Sequence, residues 1–269
     1  MRAGYQALTI PSDAGALAAY VQPGTAPVVV LQHGLCGDAN QPAEVFPDTP
    51  DFRHAVLECR GHGRSPPGDP KDFTFARFCD DLTALIARTG RPAAVGGISM
   101  GAAMALRLAV KRPDLVAALI LSRPAWVTGP APANMQPNAE VGLLMAQGRG
   151  VADFDASPTA RHLAKVAPDN LASLRSFFDR APLATTSALL TRIAADGPGV
   201  TSAEVSAIAI PTLILATTED FIHPLAHAQT LARLIPGAQL VKVPPKFRDR
   251  AGHVAVVQAA ILQFLKGLD

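Results

Sequence analysis

The chain has 269 residues, 49% hydrophobic and 17% charged, enough to bury a large core as one domain or as one domain with an insertion, which argues against disorder. Its formal charge of +2 comes from scattered basic residues with no dense Lys/Arg tract, which points away from nucleic acid and toward a small-molecule partner. No apolar run approaches the length of a membrane span, and Met1 to Ile10 alternates polar and apolar residues without a signal-like core, so a soluble, cytoplasmic protein without a membrane partner is expected.

In chain order, the stretches Tyr5 to Ile10 and Ala16 to Val21 flank a turn-rich spacer, Pro11-Ser12-Asp13-Ala14-Gly15, and predict a hairpin. Short β-branched and apolar runs follow at Pro27 to Leu31, His54 to Leu57, Ala93 to Gly97, Val116 to Leu121, Pro211 to Ala216 and Gln239 to Val243, each reading as a buried strand. Between them, Phe75, Phe78, Leu82, Leu85 and Ile86 share one helical face, and Ala102 to Val110 is a second helix former. Strand-helix alternation predicts an α/β fold with a mostly parallel sheet flanked by helices, mixed only at the hairpin.

From about Thr128 the pattern changes. Strand-like runs vanish, and Ala/Leu-rich helical segments are punctuated by Pro130, Pro132, Pro137, Pro158, Pro168, Pro182 and Pro198. This predicts a helical cap over residues 128–201 inserted into a core made of residues 1–127 and 202–269. The cysteines, Cys36, Cys59 and Cys79, are odd in number and widely spaced, with neither a zinc-type nor a disulfide pattern, and read as free thiols.

Gly97-Ile98-Ser99-Met100-Gly101 follows a predicted strand and opens a predicted helix, the context of a nucleophile elbow, in which side chains at Gly97 or Gly101 would collide with adjoining backbone. Taken alone, the pattern fits a glycine-flanked serine capping a helix equally well. A serine hydroxyl needs a base, and His253, in Ala251-Gly252-His253 after the last strand, is the candidate. Asp220 and Glu219, beyond the strand Pro211 to Ala216 and ahead of Pro224, are the candidate acids between them in sequence.

With these motifs in order, the chain resembles the α/β-hydrolase fold family over nearly its whole length outside the cap. His33-Gly34 after the strand ending at Leu31 fits the resemblance, as does Glu58-Cys59-Arg60-Gly61-His62-Gly63-Arg64-Ser65, although Glu58 stands where the family has Asp. The resemblance implies the acid is Asp220, not Glu219, although Thr217 replaces a frequent glycine at the start of that turn. It also implies a Ser99–Asp220–His253 catalytic triad and an oxyanion hole made by the backbone N–H groups of Leu35 and Met100. The activity implied is cleavage of a small carboxylic ester or lactone through a Ser99 acyl-enzyme, without cofactor or metal. A carbon-carbon bond hydrolase, a perhydrolase and a non-hydrolytic small-molecule receptor are the other readings the fold admits.

His33 and His62 sit in glycine-flanked turns without ligand spacing and read as structural, not metal-binding. Arg60 is expected to pair with a carboxylate. Trp126, just past the sixth strand run, is a candidate for lining the pocket, with core packing as the alternative. Arg123, with Arg248 or Arg250 from the basic loop 246–250, is a candidate for drawing an anionic substrate to the pocket mouth.

Overall fold

The computed structural model describes residues 4–268. An eight-stranded sheet runs in the order β1-β2-β4-β3-β5-β6-β7-β8. β1 (Gln6–Ser12) and β2 (Gly15–Val21) form the antiparallel hairpin, and β2 pairs antiparallel with β4 (Arg53–Leu57). The rest is parallel: β3 (Val28–Gln32), β5 (Ala94–Ile98), β6 (Leu119–Ser122), β7 (Thr212–Ala216) and β8 (Gln239–Lys242). Every residue of β3, β5, β6 and β7 is buried, because helices cover both faces; this is why these strands read as unbroken apolar runs and not as alternation.

Alternate residues of β3 feed opposite cores. Val28 and Val30 join the cluster beneath α2 (Phe75–Thr89), α3 (Met100–Lys111) and α10 (Leu225–Leu234), whereas Val29 and Leu31 join the one beneath α1 (Asn40–Val45) and α11 (Arg250–Lys266). The periodic face of α2 is buried as the spacing predicts, its start fixed by Thr74, whose hydroxyl accepts from the Arg77 N–H, and its end by Gly90 at φ 82°.

All elements between Ser122 and Thr212 are helical: α4 (Gln136–Ala146), α5 (Val151–Asp155), α6 (Pro158–Val166), α7 (Pro168–Ser176), α8 (Leu183–Ala195) and α9 (Ser202–Ser206), with short 3-10 turns. Val141, Phe154, Leu163, Leu171 and Leu174 form a core of their own. α8 joins this layer to the sheet: Leu190 packs into the cap core, while Leu189 and Ile193 belong to the main core. α9 packs on α3 and α10 at the sheet. Among the described residues, no helix is long and apolar enough to cross a membrane.

His33, His54 and His62 are completely buried, and burial drives the pKa of His33 and His54 down to about 4 and that of His62 well below 6.5. An unfolded chain therefore binds more protons than the folded one between about pH 6.5 and 4. The stability that depends on these neutral rings is complete above that window and is lost as pH falls through it, on the order of 3 kcal/mol each for His33 and His54. Thermal denaturation should show a melting temperature level at pH 7–8 that declines steadily below about pH 6.5; a level value down to about pH 4.5 would contradict neutral buried imidazoles.

Candidate active site

The carboxyl ends of β3, β5, β6 and β7 deliver their following residues to one edge of the sheet, the usual location of a ligand crevice in open α/β sheets. Ser99 is at the turn between β5 and α3 with φ 56° and ψ −107°, a conformation unfavourable for a residue with a Cβ. The turn is possible because its neighbours have no side chains. A Cβ on Gly97 would come within 2.6 Å of the Gly101 Cα, and one on Gly101 within 2.6 Å of the Gln32 carbonyl oxygen. The Ser99 N–H donates to the Ser122 carbonyl at 2.9 Å, tying the elbow to β6.

The Ser99 hydroxyl donates to Nε2 of His223 at 2.8 Å. His223 Nδ1 lies 2.9 Å from both Asp220 oxygens. A carboxylate only accepts, so the ring carries its proton on Nδ1 and leaves Nε2 free to accept from the serine. Ser99, His223 and Asp220 thus form one continuous hydrogen-bonded chain, all three side chains buried or nearly so.

Asp220 is gripped from several sides. Arg123 Nε and Nη2 donate to Oδ2 at 2.8 and 2.6 Å, while Asn170 Nδ2, from α7, and the His223 N–H donate to Oδ1 at 2.9 and 3.0 Å. Asn170 Oδ1 in turn accepts from the N–H groups of Phe221 and Ile222 at 2.7 and 3.3 Å, so the acid turn is clamped to the cap. Burial raises the Asp220 pKa, but His223, Arg123 and these hydrogen bonds outweigh it and hold the carboxyl far below the usual range. For His223, burial lowers the pKa, Asp220 opposes it, and the Arg123 guanidinium, whose Nη2 is 3.2 Å from Nδ1, lowers it again; the ring is neutral at pH 7.

His253 is not brought to Ser99. The loop expected around it is helix instead: Asp249 caps α11, its carboxylate accepting from the Gly252 N–H at 2.8 Å, and the His253 N–H bonds to the Asp249 carbonyl. Held in this first turn, the His253 ring directs Nδ1 to the Pro244 carbonyl at 2.8 Å and makes no hydrogen bond with Ser99 or Asp220. The histidine that does reach the serine, His223, was missed, although Asp220-Phe221-Ile222-His223 sets an acid and an imidazole three residues apart in one turn ahead of Pro224.

The loop after β3 is shaped by the two histidines of the glycine turns. His33 Nδ1 donates to the Gly34 carbonyl and Nε2 accepts from the Cys59 N–H; His62 Nδ1 donates to the Arg60 carbonyl and Nε2 accepts from the Cys36 N–H. Both nitrogens of each ring are committed to backbone, which suits a structural role and leaves no lone pair for a metal. Among the described residues, the N–H groups of Leu35 and Met100 have no protein acceptor, whereas the flanking Gly34 N–H donates to Gln41 Oε1. Glu58 accepts from the N–H groups of Ala39 and Arg64, and Arg60 is paired with both oxygens of Asp81 at 2.6 and 2.9 Å. Burial pushes the Cys36 thiol, in the same loop, up to about 12, so it is no competing nucleophile.

A cavity of about 190 Å³ opens on Ser99 and His223, walled by the loop after β3, by Arg123 and by α4 and α7 of the cap. Trp126 is absent from its walls. The indole is buried against Phe75, 5.0 Å between ring centroids, and its N–H donates to the Asp196 carbonyl, so packing beneath the cap is its observed role. The basic loop does not collect positive charge at the mouth either. Arg248 pairs with Glu219, Arg250 with Glu44, and Arg123 spends its guanidinium on Asp220.

Residues 27–255 match the family described as alpha/beta hydrolase fold. The chain is 30% identical over 235 residues, 82% of its length and 86% of the relative's, to a protein of Pseudomonas syringae pv. syringae named "Putative carbamate hydrolase RutD". It is 27% identical over 251 residues, 85% of this chain and 76% of the relative, to the mouse "sn-1-specific diacylglycerol lipase ABHD11". Among solved structures, the malate-bound thermophilic esterase of Thermogutta terrifontis superposes with a TM-score of 0.71 at 25% identity, covering 98% of this chain and 99% of that one.

Proposed function

The chain belongs to the α/β-hydrolase fold family, and from that premise we propose that it is a serine hydrolase that cleaves a small carboxylic ester or lactone with Ser99 as nucleophile, His223 as general base and Asp220 as the orienting acid. The observation that carries this reading is the 2.8 Å contact between Ser99 Oγ and His223 Nε2, continued from Nδ1 to Asp220 at 2.9 Å. As Ser99 Oγ attacks the substrate carbonyl, its proton passes to Nε2, and the Asp220 carboxylate stabilises the imidazolium through Nδ1–H. The unpartnered N–H groups of Leu35 and Met100 are the donors for the developing oxyanion, each worth about 3 kcal/mol in the transition state. His223 then gives its proton to the leaving alkoxide, leaving an acyl-enzyme. Water, deprotonated by the same nitrogen, releases the acid and restores Ser99.

Arg123 acts on this arrangement in two opposing ways. It fixes and neutralises Asp220, but its positive charge beside Nδ1 opposes formation of the imidazolium, so it favours a rigid acid over a strongly basic histidine.

A fluorophosphonate should label the wild-type enzyme stoichiometrically, and mass spectrometry should place the adduct on Ser99. Ser99→Ala should lose both labelling and turnover of short aryl esters. Labelling that persists in the variant would refute the assignment.

A further inference from the structure

Burial of polar atoms in this fold is almost fully compensated. Among the described residues, the one deeply buried side-chain oxygen or nitrogen without a hydrogen-bond partner is Oδ1 of Asn138. Asn138 is on α4, is 5% exposed, and lines the cavity that opens on Ser99. Its two buried cap neighbours differ from it. Asn134 donates to the carbonyls of Ala125 and Ile222 at 2.9 and 2.6 Å, and Asn170 is fully engaged with the acid turn. No hydrogen bond joins either end of the Asn138 carboxamide to a described group.

A buried polar group without a partner destabilises the fold, and an apolar side chain of similar size would remove that cost. Oδ1 is closed to solvent as the cavity stands, so it meets a bound molecule when the carboxamide turns toward the cavity that Asn138 lines. We propose that Asn138 is a specificity-determining residue whose carboxamide receives a hydroxyl or N–H of the substrate, so that the enzyme selects polar substrates over alkyl isosteres. The proposal rests on the serine-hydrolase reading above. The discrimination follows from asymmetry: an analogue with a methyl in place of the hydroxyl leaves the carboxamide buried and unpaired while displacing any solvent from it. Of the other polar wall residues, Arg123 is committed to Asp220, Asn170 to the acid turn, and Gln41 accepts from the Gly34 N–H.

The test compares kcat/KM within matched pairs: 4-nitrophenyl esters of 2-, 3- and 4-hydroxyalkanoic acids against their methyl counterparts, and 2-hydroxyethyl against propyl butyrate. In wild type, at least one hydroxyl-bearing member should be preferred by about tenfold or more. Asn138→Leu should bring that ratio near unity through loss of the polar substrate alone, while its melting temperature stays at or above wild type. Asn138→Ala removes the same carboxamide without refilling its volume, so a collapse of the ratio shared by both variants belongs to the hydrogen-bonding group and not to packing. Ratios near unity in wild type for every pair, or a preference that survives in both variants, would overturn the proposal. With Ser99→Ala assayed alongside, turnover that persists there defeats the serine reading, whereas turnover that vanishes there without pairwise discrimination defeats the role of Asn138 alone. No turnover of any pair by wild type would defeat both.

Discussion

Replacing His223 by Ala is expected to lower kcat/KM for an activated aryl ester by about 1,000- to 10,000-fold, while His253→Ala leaves it within about threefold. The contrast follows from hydrogen bonding. Removing His223 deletes the one group among the described residues that accepts from the Ser99 hydroxyl, at 2.8 Å, and leaves Asp220 without its imidazole. Removing His253 breaks one bond to the Pro244 carbonyl and empties a buried position in the first turn of α11, a loss of about 2 kcal/mol of stability. The pH profile provides a second readout. Because burial and Arg123 lower the His223 pKa against the pull of Asp220, the ring becomes a competent base as pH rises through a value below 6.5, so the acid limb of kcat/KM should lie below that point and stay there in His253→Ala. The opposite pattern, activity lost with His253 and kept without His223, would place the base on α11.

Asp220→Asn should be nearly as damaging, about 1,000-fold or more, whereas Glu219→Gln should change turnover by less than about threefold. An Asn at 220 can present an amide N–H to His223 and so favour the tautomer protonated on Nε2, which cannot accept from Ser99. It also leaves the Arg123 charge uncompensated beside that ring. Glu219, one residue away, faces outward to Arg248 at 2.9 Å and its loss removes only an exposed ion pair. Circular dichroism and melting temperature would separate a catalytic loss in Asp220→Asn from unfolding, and a large loss with Glu219→Gln alone would reassign the acid.

The sheet was legible because its central strands are buried on both faces, which makes them continuous apolar runs, and the elbow because sterics at Gly97 and Gly101 leave few residue choices. The placement of His253 was misread for a local reason. Gly252-His253 follows the last strand as a loop would, but Asp249, three residues before Gly252, is a good N-cap and starts the helix early enough to turn His253 away. Its spacing was available in the sequence; the competition between loop and cap was not decided there. Trp126 illustrates a different limit, since one aromatic residue past a strand has no periodicity to show which side it faces. The partners that neutralise Arg248 and Arg250 are 29 and 206 residues away along the chain, and only the tertiary fold brings them together.

Asn170 has a consequence for motion. Its side chain holds the acid through Oδ1 of Asp220 and holds the next two backbone amides as well, so α7 cannot swing off the sheet domain without releasing the turn that aims His223. A cap that hinged open along this side would break these hydrogen bonds and, on the proposed mechanism, interrupt proton transfer until it reclosed. A cross-link that pins α7 to the acid turn should therefore leave steady-state turnover intact.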